Sequence, residues 1–309
     1  MIQFINILLL CVIIVGCPYL AQSQISAIFN KKDLKELKET KTVFFHRKDD
    51  DPELLEKALK EVWTLTDIEV ASYRKMPAYL KQDGYSYFSI NAKWMESSDG
   101  PDKFYIDLKL WMPEGKGEET LSEIALHPSN EVFHVLRENR TEPMEGLIYL
   151  YTDAELGNWQ PGFLQGYLGL LNDQLKEEEE RAKYEGIMEM DQLATLAKKP
   201  LYVPEYCLRS PYDDSVREAK EVFDEYLYKY EILSDEDLSN KILNDEEPFY
   251  YLLFAHIGAR GALSIYNSKT HKMIYHTGGV VGIQLSPKNT ELISEKIEKS
   301  AKKMRKNKR

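Results

Sequence analysis

The sequence predicts an α/β fold in which two similar mixed-sheet units are joined by a helical segment. The order strand-helix-strand-helix-strand-strand occurs twice, beginning near residue 42 and again near residue 201. Along both stretches, apolar residues alternate with the period of strands and then recur with the period of helices. Roughly 285 residues follow a predicted leader, which is enough chain for about two packed domains.

The first unit begins with a short strand over residues 42–46, Thr-Val-Phe-Phe-His. Pro52 follows three aspartates and suits the first turn of a helix. A second strand is predicted over residues 68–72. Alternating apolar residues over 85–94 and 104–111 then predict two longer strands that each bury one face.

The second unit repeats this order from a strand at residues 201–205. Asp213 or Asp214 is expected to cap its first helix, which carries Val216 and Leu227 on its apolar face. Because a strand-helix-strand connection is parallel and a hairpin is antiparallel, each unit is expected to form a mixed sheet. Further strands are predicted over residues 230–233, 249–255, 261–265 and 273–276, before a last helix that begins at Ser286-Pro287.

The predicted boundaries divide the chain into a leader, two domains and a linker. The leader covers residues 1–23. The first α/β domain covers 24–185, and a helix that begins near Pro161 closes it. The linker covers 186–199, and the second α/β domain covers 200–309. The two domains are interpreted as an internal duplication at the level of structure.

The N-terminal segment predicts export of the protein. Residues 4–15 form an apolar run broken only by Asn6. The run is shorter than the ~20 residues of a membrane-spanning helix and fits the core of a signal peptide, although no Lys or Arg precedes it. Ala21 and Ser23 are small, so cleavage is expected after Ser23. The mature protein is then expected to be periplasmic or extracellular.

Two other outcomes stay open at this terminus. Residues 14–17, Ile-Val-Gly-Cys, resemble a bacterial lipobox, in which the cysteine is lipidated. Lipidation of Cys17 would keep the protein on a membrane, and an uncleaved leader would act as an anchor. Cleavage after Ser23 instead removes Cys11 and Cys17, so that Cys207 has no partner for an intramolecular disulfide.

The charge of the chain bears on its partners. The formal net charge of −11 argues against a general nucleic-acid binder, and no nucleic-acid partner is predicted. The tail at residues 302–309 is strongly basic. Contact with a nucleic acid or a lipid surface is one interpretation. The favoured one is a solvated helix end, where cations also suit the helix dipole.

Only weak catalytic candidates stand out, namely His256, His276 and Cys207. The two histidines could approach each other across the final predicted strands, where one of them could act as a general base. Cys207 follows the first strand of the second unit, and Arg209 could lower the pKa of its thiol. For all three residues, a structural role at a strand end is the favoured interpretation.

No metal and no cofactor are predicted. No two histidines have the four-residue spacing of a helical zinc site. Residues 49–51 are three aspartates without the spacing and glycine of a calcium loop, so helix capping explains them better. The glycine-rich residues 278–282 lack the lysine and hydroxyl residue of a phosphate loop, and a flexible connection is expected there.

Aromatic density is the unusual feature of the composition, with 20 tyrosines, 11 phenylalanines and 4 tryptophans. Tyrosine and tryptophan can pack on sugars or on partner proteins. The competing interpretation is core and sheet-face packing. The clusters on predicted strands are Tyr85, Tyr87, Trp94, Tyr105 and Trp111 in the first unit, and Tyr250, Tyr251, Tyr266 and Tyr275 in the second.

The chain also resembles known proteins in two ways. Residues 159–162, Trp-Gln-Pro-Gly, with Tyr167-Leu168 after them, resemble a pattern in exported Bacteroidetes proteins that have no assigned function. The strand at 41–44 and residues 63–66, Trp-Thr-Leu-Thr, resemble the same proteins. This resemblance spans most of the chain and implies a bacterial envelope-associated protein, without any known chemistry.

The second resemblance is topological. Each unit is similar to the small α/β domain of outer-membrane assembly lipoproteins, such as the curli secretion channel and penicillin-binding-protein activators. A hairpin such as 263–275, with Asn267-x-Lys269-Thr270 at its turn, is typical of those domains, which bind partners and do no chemistry. The order also resembles a thioredoxin-like fold, but no Cys-x-x-Cys is present.

The sequence therefore predicts an exported protein of the bacterial cell envelope that binds a partner or has a structural role, and that is not catalytic. Its predicted partner is an envelope protein or a glycan, with membrane contact only if Cys17 is lipidated. The alternative is an exported hydrolase whose site is assembled only in three dimensions. A pocket that joins His256, His276 and carboxylates would favour the hydrolase, and a shallow aromatic face would favour binding.

Overall fold

The computed structural model describes residues 24–27, 29–95, 103–114, 117–139, 142–178, 186–210, 213–257, 260–282 and 284–307. The predictions for the leader, including cleavage after Ser23 and lipidation of Cys17, lie outside these residues. The predicted α/β class is confirmed, because the chain forms two mixed six-stranded sheets with helices between strands. None of the helices in the described part is both long and apolar enough to cross a membrane.

The first sheet, sheet 1, has the strand order β1-β6-β5-β4-β2-β3. Its second strand runs parallel to its third and fourth, and the other neighbours are antiparallel. The strands are β1 (Ile25–Ala27), β2 (Lys41–His46), β3 (Ile68–Ser72), β4 (Tyr85–Met95), β5 (Lys103–Glu114) and β6 (Gly117–Ala125). The helices of this half are α1 (Lys31–Lys38), α2 (Pro52–Val62), α3 (Met76–Tyr79), α4 (Asn130–Glu138), α5 (Pro143–Thr152) and α6 (Pro161–Lys176).

The second sheet, sheet 2, has the order β7-β12-β11-β10-β8-β9 and the same pattern of parallel and antiparallel neighbours. Strand for strand it matches sheet 1, so the duplicated order extends to all six strands. The strands are β7 (Ile187–Met188), β8 (Leu201–Pro204), β9 (Tyr230–Leu233), β10 (Tyr250–Ile257), β11 (Arg260–Asn267) and β12 (Met273–Val281). The helices are α7 (Met190–Leu193), α8 (Ala219–Val222), α9 (Asp235–Asn244) and α10 (Pro287–Asn307).

The helix expected after Asp213 or Asp214 is reduced to the single turn α8. Asp214 has a φ of 54°, which is left-handed, and its carboxylate accepts a hydrogen bond from the Asn130 backbone N–H at 3.0 Å. Val216 is 68% exposed and Leu227 is 75% exposed, so neither packs in the core as a helix face would require. The apolar spacing was therefore a false helix pattern. In α2, by contrast, Asp51 caps the helix through two backbone N–H groups, as predicted.

The segment at residues 186–199, predicted as a linker, has regular structure. Its strand β7 pairs with β12 at the edge of sheet 2, and α7 and a 3₁₀ turn follow. The Ser300 hydroxyl of α10 lies 3.3 Å from the Met190 sulfur, so α10 and α7 are in contact. This segment therefore supplies the edge strand of sheet 2, just as β1 supplies the edge strand of sheet 1.

Helix α6 lies between the two halves and is buried along almost its whole length. One side of it faces α2, where the Gln165 amide donates to the Ala58 carbonyl at 3.3 Å. An adjacent stripe of the helix carries glycines that let the second half approach closely. A Cβ at Gly162 would lie 2.5 Å from the Ser239 carbonyl oxygen of α9, and one at Gly166 would collide with the Tyr251 hydroxyl.

In both sheets a buried tyrosine hydroxyl forms hydrogen bonds with the backbone of a strand. In sheet 1 the ladder between β2 and β4 ends at Phe88, and two residues later the Ile90 backbone N–H donates to the Tyr151 hydroxyl at 2.7 Å. In sheet 2 the Tyr206 hydroxyl accepts from the Phe254 N–H at 2.9 Å and donates to the Phe254 carbonyl at 3.0 Å. Each hydroxyl thus takes the place of the backbone partner that the neighbouring strand no longer supplies, because buried backbone groups need hydrogen-bond partners.

We expect Tyr206→Phe to lower the free energy of unfolding by about 2 kcal/mol, because it leaves both the N–H and the carbonyl of Phe254 buried without a partner. Chemical denaturation measures this change. The control is Tyr149→Phe, a half-buried tyrosine on α5, which should change stability by less than about 0.5 kcal/mol. Equal effects of the two changes would contradict the proposed role of the Tyr206 hydroxyl.

Candidate functional site

The structure does not bring His256 and His276 together. His256 of β10 stands opposite Gly261, whereas His276 of β12 stands opposite Ser264, whose partner on β10 is Leu253. His256 and Leu253 are three residues apart on one strand, and residues an odd number of positions apart on a strand face opposite sides of the sheet. The two histidines therefore lie on opposite faces of sheet 2, and they cannot form one catalytic site.

His256 and His276 are each packed into the structure by neighbouring side chains. The His276 ring is buried, and its Nδ1 lies 2.9 Å from the Ser264 hydroxyl. The His256 ring packs edge-on against Phe133 of α4, with ring centroids 5.1 Å apart. Its second aromatic neighbour is His127, at 6.3 Å between centroids. His127 lies just after β6, so His256 is at the contact between the two halves.

A third histidine, which the sequence did not single out as a candidate, is His127. Its ring is fully buried among Tyr206, Phe254 and His256. Burial lowers the pKa of His127 to about 3, helped by repulsion from His256, and burial lowers the pKa of His256 to about 4. Within the described residues, neither His127 Nδ1 nor His256 Nε2 has a hydrogen-bond partner. Both rings are therefore neutral at ordinary pH.

The cleft beside His127 is too small for a substrate. Its volume is about 20 Å³, close to the space of one water molecule. Tyr206, Arg209 and Glu155 line it, and Arg209 and Glu155 form an ion pair with each other. A histidine with a pKa near 3 is also a weak base. The residues around this cleft pack the two halves of the chain against each other. The cleft has no room for a molecule beside a reacting group.

Cys207 is buried, with 2% of its surface exposed. Burial raises the pKa of its thiol well above the usual value, and the negative charge of Asp235 acts in the same direction. The thiol is therefore protonated and inaccessible, whereas a reactive cysteine needs a lowered pKa and access. Arg209 pairs with Glu155, so it is not available to activate Cys207 as the sequence suggested.

The other candidate groups also have structural roles. The Asp50 carboxylate accepts hydrogen bonds from the Arg47 backbone N–H at 2.7 Å and from the Trp159 indole N–H at 3.1 Å. The Trp159 ring packs on Phe44 at 5.7 Å between centroids, so these two residues of the resemblance contribute to the core. No three His, Cys, Asp or Glu side chains in the described residues are grouped closely enough to hold a metal ion.

The aromatic residues of the two units have different settings. In sheet 2, Tyr250, Tyr251, Tyr266 and Tyr275 are all buried, with at most 6% of their surface exposed. Tyr251 and Tyr266 stack at 5.5 Å between centroids, beneath α6. The aromatic density of the second unit is therefore core packing. The side chain of Trp94 lies outside the described part of the chain.

Sheet 1 carries an aromatic and polar surface that is partly exposed, which we call the outer face; Tyr87, Ser89, Asp107 and Lys109 are buried within it. It comprises Tyr85, Tyr87, Ser89, Asn91 and Lys93 of β4, with Tyr105, Asp107, Lys109 and Trp111 of β5 and Glu123 of β6. Cross-strand pairing places these alternate residues on one side of the sheet. The opposite side packs against the helices, as the Trp63 ring does on Phe88 at 5.1 Å.

The aromatic end of the outer face is a row of rings. Tyr85 packs on Tyr87 at 6.4 Å between centroids, and Tyr87 packs on Trp111 at 5.0 Å. Tyr87 is fully buried, whereas Tyr85 and Trp111 keep part of their surface exposed. The Trp111 indole N–H donates to the Ser89 hydroxyl at 2.9 Å, which fixes the orientation of the ring. Tyr79 of α3 borders the row.

The polar end of the outer face has its charges paired within the sheet. Lys93 forms an ion pair with Glu123, and Lys109 forms one with Glu118. The Lys109 ammonium also lies 5.9 Å from the centre of the Trp111 ring. The outer face is therefore rich in hydrogen-bonding groups but close to electrically neutral. It is shallow and aromatic, and the alternation of β4 and β5 was the sequence pattern that indicated it.

No protein-family model, no curated protein and no solved structure matched this chain in the three comparisons that were made.

Proposed function

We propose that the protein is an exported, non-catalytic binding protein of the bacterial cell envelope, and that its outer face binds a glycan. The observation that supports the binding function is the row of half-buried rings at Tyr85 and Trp111 beside polar groups whose charges are paired. The export and envelope parts of the proposal rest on the apolar N-terminal run and on the resemblance to exported Bacteroidetes proteins.

The chemistry of the outer face suits a sugar. An aromatic ring packs on the apolar side of a pyranose ring, while neighbouring polar groups bind the hydroxyls. Asn91, Lys93 and Glu123 supply donors and acceptors next to the rings. Because the lysines and glutamates neutralise each other, the face favours an uncharged polar ligand over a strongly charged one.

A protein partner fits this surface less well. The centre of a protein–protein interface is usually depleted of lysine, glutamate and aspartate. On the outer face, Lys109, Asp107 and Glu123 stand at the centre, between the aromatic row and Tyr105. Lys109 and Asp107 are already buried, whereas the Lys93–Glu123 ion pair is partly exposed. Desolvating this pair against a protein would cost free energy, whereas a hydrated glycan can bind it through its hydroxyls and bridging water.

The hydrolase alternative lacks a supporting observation. It depends on a pocket that joins His256 and His276 to carboxylates, and these histidines lie on opposite faces of sheet 2. The remaining histidine pair, His127 and His256, lies beside a cleft of about 20 Å³.

A glycan array, followed by calorimetry with the best-bound oligosaccharide, tests the proposal. We expect Tyr85→Ala to weaken binding about tenfold, because an aromatic contact of this kind contributes more than about 1 kcal/mol. The matched control is Tyr228→Ala, another half-buried tyrosine, in the second half of the chain, which should leave the dissociation constant unchanged. Thermal melting checks that both variants fold.

Three results would overturn the proposal. The first is an array without any bound glycan. The second is equal affinity of the Tyr85→Ala variant and the unmodified protein. The third is turnover of a bound oligosaccharide, which would show that the protein is an enzyme.

A further inference from the structure

A second surface lies on the C-terminal half of α10, far along the chain from the outer face. It is an open groove of about 600 Å³ between α10 and the segment that contains β7 and α7. Met188 and Met190 form its apolar part. Lysines and two glutamates form its rim: Lys299, Lys302, Lys303, Lys306, Glu295 and Glu298.

The lysines of the rim follow the helix geometry. Lys299, Lys303 and Lys306 are spaced by four and three residues, so they form one stripe along α10. None of these three has an ion-pair partner among the described residues, whereas Lys302 pairs with Glu298 at 2.7 Å. The rim therefore carries net positive charge, with four lysines against two glutamates.

The helix dipole does not account for this stripe. Its stabilisation of cations is confined to about the last turn of a helix, and Lys299 lies two turns before the end of α10 at Asn307. Like charges four residues apart, such as Lys299 and Lys303, also destabilise a helix by a few tenths of a kcal/mol. Packing of α10 gives no reason for this arrangement, since all three lysines are exposed.

The apolar part of the groove restricts the kind of ligand. Met188 is 38% exposed on the edge strand β7, next to the lysines. A cationic rim around flexible apolar side chains is complementary to a molecule with an anionic head and an apolar body. A nucleic acid would use the lysines through its phosphates but would gain little from the methionines.

We propose that the α10 groove binds the surface of a bilayer that contains anionic phospholipid. The rest of the chain is acidic, with a net charge of −11 for the whole, so an anionic bilayer would repel most orientations. The end of α10 would thus orient the protein on the membrane. This contact does not require lipidation of Cys17, and it does not use the outer face.

Co-sedimentation of the purified full chain with lipid vesicles tests this proposal. We expect binding to vesicles of phosphatidylcholine with phosphatidylglycerol, and weaker binding as salt is added. The triple change Lys299→Gln, Lys303→Gln, Lys306→Gln should weaken binding about 100-fold, since each cation near an anionic surface contributes about fivefold. The control changes Lys57, Lys220 and Lys288, which are exposed elsewhere, to glutamine and should bind as the unmodified protein does.

Binding to vesicles of pure phosphatidylcholine, which carry no net charge, distinguishes this electrostatic contact from insertion of the apolar N-terminal run into the bilayer. Equal binding to neutral and anionic vesicles would overturn the proposal, as would equal effects of the two triple changes. A short DNA duplex that binds the groove as tightly as the anionic vesicles would also overturn it, because the groove would then bind polyanions in general.

Discussion

Gly162→Ala is expected to lower the free energy of unfolding by about 3 kcal/mol, although alanine is the better helix former by about 1 kcal/mol. The added Cβ would lie 2.5 Å from the Ser239 carbonyl oxygen and 2.9 Å from the Ser239 Cα. Both are backbone atoms of α9, so they cannot move aside without moving that helix. The change should also disturb the hydrogen bond from the Gly162 N–H to the Ser239 hydroxyl, now 2.9 Å long.

The matched control is Gly146→Ala in α5. A Cβ there meets only the end of the Leu136 side chain, at 3.0 Å, which a change of rotamer can relieve. This variant should be as stable as the unmodified protein or slightly more stable, because the helix propensity improves. Denaturation of both variants measures the difference. If Gly162→Ala were as stable as Gly146→Ala, the close crossing of α6 and α9 would not hold the two halves together.

The second large effect is a loss of stability at acidic pH. His127 and His256 are held neutral in the folded protein, with pKa values lowered to about 3 and about 4, whereas histidines in an unfolded chain take up protons below about pH 6.5. The stabilisation is therefore complete above about pH 6.5 and is lost as the pH falls toward the folded-state values. In that window each histidine contributes a slope of about 1.4 kcal/mol per pH unit.

Carboxylates also titrate in this range, so the test compares variants. His256→Leu removes one titrating group. It breaks no hydrogen bond of Nε2, because that nitrogen has no partner among the described residues. Between pH 6 and pH 4.5, the slope of the unfolding free energy against pH should fall by about 1.4 kcal/mol per unit in this variant. His134→Leu, at an exposed histidine of α4, should leave the slope unchanged. Identical slopes for all three proteins would contradict the buried neutral pair.

Much of the fold could be predicted from local patterns. Strong apolar alternation or continuous apolar runs mark the predicted strands of both units, which in the first unit are 42–46, 68–72, 85–94 and 104–111. The order of these strands along the chain predicts the mixed sheets. Strand β6 could not be predicted in this way, because Glu118, Glu119 and Glu123 break its pattern. Those glutamates are tolerated because Lys93 and Lys109 pair with two of them across the sheet.

The shortest elements depend on tertiary contacts. Strands β1 and β7 have three and two residues, and they exist because each pairs with the last strand of a sheet. The helix predicted after Asp213 is the opposite case, in which a pattern predicts an element that is mostly absent. Apolar spacing alone does not reveal that Val216 forms an isolated β-bridge with Arg209 instead. Local periodicity cannot distinguish these cases, because the deciding contacts are distant in sequence.

The candidate site was predictable in part. Alternation in β4 and β5 indicated the aromatic cluster of the first unit, and pairing of the two strands places four of its members, Tyr85, Tyr87, Tyr105 and Trp111, on the outer face. The alternative in which His256 and His276 approach each other could not be decided from the sequence, because the register between β10, β11 and β12 sets the face of each histidine and is a property of the folded sheet. His127 carried no sequence signal, since its partners come from the other half of the chain.

Photoaffinity labelling is the most direct test of the central claim, that the outer face binds a glycan. An oligosaccharide selected by the array would carry a diazirine, and mass spectrometry would locate the crosslinked residues. The proposal predicts crosslinks within β4 and β5, near Tyr85, Asn91 and Trp111, that excess unlabelled oligosaccharide removes. Crosslinks confined to the cleft at His127 and Tyr206, with none on the outer face, would contradict it.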